Sequence, residues 1–127
     1  MSKILIVEDD EANVIFFAQV LEDNGYEVAA ANDTVSARDA VARFSPDAIL
    51  IDVLMPGRSG LDLLVSLRRD PRWTRIPLVV ITGSDKILED DCQSYLGAHE
   101  GVSGPDGVLG KPVDRATLLA ILDRLLG

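Results

Sequence analysis

Ile4-Leu5-Ile6-Val7-Glu8-Asp9-Asp10 sets four apolar residues directly ahead of three carboxylates. A run that is apolar at every position, instead of alternating, is expected of a strand covered on both faces. Further short apolar runs lie at residues 28–31, 48–51, 78–81 and, weakest, at Val108-Leu109, with stretches of helical period between them. Val14, Phe17, Ala18 and Leu21 form one stripe between about Asp10 and Asn24, closed by Gly25. Val35, Ala37, Val41 and Phe44 form a second over residues 34–44, and Pro46 turns the chain out of it. Leu61, Leu64, Val65 and Leu67 follow Ser59-Gly60 and stop near Asp70-Pro71, while Leu118, Leu119, Ile121, Leu122 and Leu125 form the last stripe, with Asp114 as its N-cap. Residues 85–96 read as helical with a poor stripe. Residues 97–107, with glycine at 97, 101, 104 and 107 and Pro105, read as a long loop. Strand and helix alternating in this way predict the α/β class, as a (βα)5 doubly wound, parallel, five-stranded sheet.

Size and charge narrow the function. A chain of 127 residues has room for one core-forming domain, and 47% apolar residues exclude disorder. A formal charge of −9 repels nucleic-acid phosphates and anionic lipid, so neither nucleic acid nor membrane is an expected partner. Cys92 has no second cysteine to pair with, no zinc-type cluster is present, and the four apolar residues before Glu8 are too few for a signal peptide. A cytoplasmic location is therefore expected. His99 lies in the predicted loop and is read as a surface residue, Trp73 as a cover for the edge of the core, and Glu89-Asp90-Asp91 as a solvated helix face.

In an open parallel sheet, ligands gather at the carboxyl ends of the strands. The first strand here ends in Glu8-Asp9-Asp10, the third in Asp52, the fourth in Thr82 and the fifth in Lys111-Pro112. Carboxylates crowded at one edge repel one another, and a hard cation with oxygen ligands neutralises them. Mg²⁺ is the expected cofactor, because it takes one or two carboxylates together with waters and a phosphate oxygen. Asp52 is then the candidate nucleophile toward a phosphoryl group, Lys111 the balancing cation and Thr82 a hydroxyl able to bond a phosphoryl oxygen. Asp10 and Glu11 are read instead as the start of the first helix, where carboxylates favour the dipole.

Ile4-Leu-Ile-Val-Glu-Asp-Asp10, Ile51-Asp-Val-Leu-Met-Pro-Gly57, Val80-Ile-Thr-Gly83 and Gly110-Lys-Pro112 together resemble the four signature blocks of response-regulator receiver domains of two-component signalling. The resemblance spans the whole chain. It implies the flavodoxin-like, CheY-like strand order 2-1-3-4-5 and a single receiver domain over residues 1–127 with no output domain among them. It also implies a signalling domain, not an enzyme acting on other substrates. By position, Glu8, Asp9, Asp52 and the backbone carbonyl of Leu54 would hold Mg²⁺. Asp52 would accept the phosphoryl group from a phosphohistidine, on a histidine kinase or a histidine phosphotransfer protein. Thr82 and Lys111 would contact the phosphate, and a downstream protein partner or output domain would read the result from a monomer or weak homodimer.

Two features depart from that family. Position 108, usually aromatic, is Val108, too small to act as a turning ring. The spacing from Thr82 to Lys111, 111 − 82 = 29 residues, is longer than usual, with the extra length in the glycine-rich segment 97–107. Signal transfer is therefore expected to depend on backbone movement across residues 83–110. Three other functions are weighed. A binding module that is never phosphorylated is disfavoured by the intact Glu8, Asp9, Asp52, Thr82 and Lys111. A haloacid-dehalogenase-type phosphatase would need an Asp-x-Asp pair closing the first strand and a cap domain. A flavodoxin would need a phosphate cradle where Glu8 to Glu11 instead repel phosphate.

Overall fold

The alternation of apolar runs and helical stripes appears in the structure, a computed structural model that describes residues 2–52, 60–82, 105–110 and 112–126. In chain order these are β1 Lys3–Val7, α1 Glu11–Asp23, β2 Glu27–Ala31, α2 Thr34–Phe44, β3 Ala48–Asp52, α3 Gly60–Arg69, β4 Leu78–Thr82, β5 Gly107–Gly110 and α4 Arg115–Leu126. The five strands form one sheet in the order β2-β1-β3-β4-β5, and all four pairings are parallel. The expected helix at residues 85–96, together with Leu54, Cys92, His99 and Lys111, lies outside the described residues.

The continuous apolar runs are explained by two cores. Successive strand residues point to opposite faces, so Leu5, Val7, Ile49 and Ile51 pack with Ala37 and Val41 of α2 and Leu63, Leu64 and Leu67 of α3. Their neighbours Ile4, Ile6 and Leu50 pack with Phe17, Val20 and Leu21 of α1 and Leu118 and Leu122 of α4 on the other face. Removing a fully buried leucine such as Leu50 or Leu64 costs about 2–5 kcal/mol.

Helix boundaries follow from local chemistry. The Asp10 carboxylate accepts from the Ala12 amide at 2.9 Å and the Asn13 amide at 3.4 Å, capping α1. Asp33 accepts from the Ser36 amide at 2.7 Å to cap α2, and that bond lowers its carboxyl below the ordinary range. The Asp114 carboxylate accepts from the Thr117 amide at 3.3 Å and its hydroxyl at 3.0 Å ahead of α4. Gly25 follows α1 at φ 86°, a conformation that costs glycine little, and Ser45 closes α2 in the left-handed region before the buried Pro46.

Two expectations need correction. Val35 is 79% exposed and does not belong to the buried stripe of α2: at 100° per residue it falls on the side of the helix opposite Ala37, Val41 and Phe44. Gly107 is the first residue of β5 and not the end of a loop: a side chain there would collide with Ile121 Cδ1 of α4, so the glycine serves strand–helix packing.

Candidate functional site

Each parallel strand delivers its last residue to the same edge of the sheet. Asp52 closes β3 at 2% exposure, and Glu8, directly after β1, is 1% exposed, while Asp9 beside it is open to solvent. The position of Glu8 is fixed twice over. Its amide donates to the Ala31 carbonyl at 3.0 Å, continuing the ladder with β2, and its carboxylate accepts from the Asp10 amide at 3.1 Å. Asp10 is committed to capping α1, as expected, which leaves Glu8 and Asp9 as the acids that follow the first strand at this edge.

One carboxylate oxygen from each of Glu8, Asp9 and Asp52 lies within 4.8 Å of the others. Oxygen ligands around an octahedral cation with bonds of about 2.1 Å sit about 3 Å apart when adjacent and about 4 Å when opposite. An all-oxygen set at the observed spacing thus fits a hard divalent ion after a small closure. Ionised carboxylates this near repel one another by a few kcal/mol per pair, on the order expected near a protein surface, so the same geometry favours any cation that enters. A cleft of about 600 Å³, bordered by Glu8, Asp9, Glu11, Asn32 and Ser36, opens beside the two acids of the first strand.

The neighbouring strands complete the edge. Thr82 ends β4, its backbone paired with Gly110 at the end of β5, and Lys111 is the next residue in the chain. The Thr82 side chain, Leu54 and Lys111 are outside the described set. Val108 in β5 is 40% exposed.

Gly60 is a residue whose role the sequence reading missed. A Cβ placed on it would fall 2.6 Å from Ile51 Cγ2 and 3.0 Å from the carbonyl carbon of Asp52, and nearer still to the carbonyl oxygen. The first turn of α3 therefore rests directly on the backbone that presents Asp52, and only glycine allows it. A glycine inside the first turn of an amphipathic helix, where it weakens the helix unless close packing requires it, was the signal available in the sequence.

Comparison with known proteins agrees with this geometry. The family model for the response regulator receiver domain matches residues 4–123. The response regulator PleD of Caulobacter vibrioides is 39% identical over 119 residues, covering 94% of this chain and 25% of PleD. Protein PilH of Pseudomonas aeruginosa is 29% identical, covering 99% of this chain and 98% of PilH. The crystal structure of the chemotaxis response regulator CheY4 of Vibrio cholerae superposes with a TM-score of 0.84 at 27% identity, over 98% of both chains. The chain thus spans a quarter of PleD and about half of other curated relatives it matches. With its strand order, its acidic edge and a family match over nearly its full length, the chain belongs to the response regulator receiver domains of two-component signalling.

Proposed function

We propose that Asp52 accepts a phosphoryl group from a phosphohistidine and that the domain changes its partner binding in response. The observation that carries this reading is the buried Asp52 carboxylate at a strand end with oxygens of Glu8 and Asp9 within 4.8 Å. An Asp52 oxygen attacks phosphorus, the P–N bond of the donor breaks, and its electron pair returns to the imidazole nitrogen, leaving an aspartyl phosphate. Attack by water on that acyl phosphate regenerates Asp52 and releases inorganic phosphate. Glu8, Asp9, Asp52 and the Leu54 carbonyl would hold Mg²⁺, which would supply positive charge against the oxygens of the transferring group. Lys111 provides the second positive charge, and Thr82 donates a hydrogen bond to a phosphoryl oxygen.

The donor is a histidine kinase or a histidine phosphotransfer protein, and the reader is a downstream protein or an output domain. A groove of about 490 Å³ between Asn13, Phe16 and Phe17 of α1 and Pro112-Val113 supports a protein donor, because it offers apolar surface beside the segment that carries Lys111. Among the described residues no helix is long and apolar enough to cross a membrane. The cytoplasm, in keeping with the acidic composition, is the proposed location, and a monomer or weak homodimer the proposed state.

Incubation with acetyl phosphate and Mg²⁺, followed by intact mass measurement, tests the reading. One phosphoryl group is expected, lost with Asp52→Asn and with a chelator. Labelling that survives Asp52→Asn sinks the assignment.

A further inference from the structure

β5 is a poor strand on its own terms. It has four residues, a glycine at each end, and a single neighbour in the sheet. Yet under the proposed function it must deliver Lys111, the residue after Gly110, to Asp52. A slip of two residues against β4 would carry the end of the strand about 7 Å along the sheet, and a slip of one would turn its side chains to the opposite face. Something besides the ladder must set the register.

The fixing point is Asp106, at the opposite end of the sheet from the acidic cluster. Its amide donates to the Leu78 carbonyl at 2.8 Å, and its carboxylate Oδ2 accepts from the Leu78 amide at 2.8 Å, so the two residues are closed by backbone and side chain together. The same Oδ2 accepts from Arg68 Nη2 at 2.6 Å. Arg68 has a side chain only 4% exposed, and its Nη1 donates to the carbonyls of Thr74 at 2.9 Å and Ile76 at 2.8 Å. Arg124 of α4 donates to the Asp106 carbonyl at 3.2 Å. The residue that precedes β5 is thus held by β4, by the last turn of α3, by the chain entering β4 and by α4.

α3 links this point to the phosphoacceptor. Its first residue, Gly60, rests on the backbone of Asp52, and Arg68, eight residues on, holds Asp106. Eight helical residues span about 12 Å, and the four steps from Asp106 to Gly110 span about 13 Å. One helix and one strand of matched length therefore connect Asp52 to the end of β5.

We infer that Arg68 and Asp106 are positioning residues for phosphoryl transfer: their ion pair sets the register of β5 on β4 and thereby places Lys111 at Asp52. This rests on the proposed role of Asp52. It is tested with Mg²⁺ alone and with the phosphoryl mimic beryllofluoride plus Mg²⁺, each affinity being followed by NMR on the full chain. Mg²⁺ alone needs Glu8, Asp9 and Asp52, whereas the mimic also needs Lys111. Asp106→Ala is expected to weaken beryllofluoride about tenfold, the lower end for misplacing one charged hydrogen bond to the group, with Mg²⁺ affinity within about twofold of wild type. Asp106→Asn keeps an acceptor oxygen for Leu78 and Arg68 and should recover most of the loss. Val41→Ala, a core change on α2, supplies a chain of lowered stability with unchanged mimic affinity. Should Asp106→Ala not fold, Arg68→Lys, whose single ammonium cannot replace the guanidinium fork, carries the same expectation at about threefold. Mimic affinity equal to wild type in Asp106→Ala or Arg68→Lys, or equally weakened in Val41→Ala, overturns the inference alone. A wild-type chain that binds no beryllofluoride overturns the reading of Asp52 as well.

Discussion

The two ends of the sheet handle charge in opposite ways. At the carboxyl end, carboxylates meet carboxylates, with Glu8, Asp9 and Asp52 gathered within 4.8 Å. At the amino end, carboxylates meet guanidinium groups. Asp106 pairs with Arg68, and Asp70 pairs with Arg72 at 2.8 Å and Arg38 at 3.5 Å, while both of the latter guanidinium groups lie over the half-buried ring of Trp73. The second arrangement stabilises the fold by itself. The first gathers like charges that strand geometry holds close, so it favours any cation that enters. Functional edges depart from local stability rules in this way, and the rest of the molecule offsets the cost.

The largest way to break this contrast is to disturb the backbone that enforces the acidic cluster. Gly60→Ala should cost about 1–3 kcal/mol, since the methyl meets backbone and cannot be accommodated by a rotamer change. It should also slow phosphorylation of Asp52 by acetyl phosphate, measured by mass against time. A Gly60→Ala chain with wild-type stability and rate would show that α3 does not brace the site.

A smaller effect comes from relieving the repulsion directly. Asp9→Asn should raise stability without metal by on the order of 1 kcal/mol, and the order should reverse in Mg²⁺, because the wild type gains more from binding it. At tenfold excess over its dissociation constant, a ligand specific to the native state adds about 1.4 kcal/mol. Urea midpoints with and without Mg²⁺ read both outcomes, and a variant already less stable in chelator would contradict the account.

The smallest effect belongs to the paired end. Hydrogen bonds from Arg72, first through its side chain and then its amide, hold the Asp70 carboxyl down to about 2. Because its carboxyl is depressed in the folded state, Asp70 contributes stability that is fully present above the ordinary carboxylate range near 4 and disappears as pH falls through about 2. Asp70→Asn should therefore lower the urea midpoint slightly at pH 7, with the gap to wild type narrowing between about pH 4 and pH 2. Salt should shrink the gap as well, since Arg72 is exposed. A gap that widens on acidification would rule out this pairing as its source.

The acidic end was legible in the sequence and the paired end was not. Glu8, Asp9 and Asp52 stand directly at or after apolar runs, so the rule that strand ends form the ligand edge locates them without any long-range information. β1, β3 and β4 were equally plain, because burial on both faces leaves no polar position to blur them. Arg68 and Asp106, by contrast, are 38 residues apart, and a charged residue on a helix or in a glycine-rich stretch looks like a solvated one until its partner is known. Gly107 was misread for a related reason: a glycine required by Ile121 of α4 has the same letter as a glycine required by a turn. Val35 was read into the stripe of α2 for its apolar character, although at 3.6 residues per turn it faces away from Ala37, Val41 and Phe44.

The bonds at Asp106 also bear on how freely this chain can change length. The amide, carbonyl and carboxylate of Asp106 are all engaged by β4, α3 or α4, so β5 begins from the same reference point whatever the number of residues between β4 and Asp106. Insertions and deletions upstream of that anchor are therefore uncoupled from the spacing of the phosphorylation site. The five residues from Asp106 to Gly110, by contrast, must keep their number.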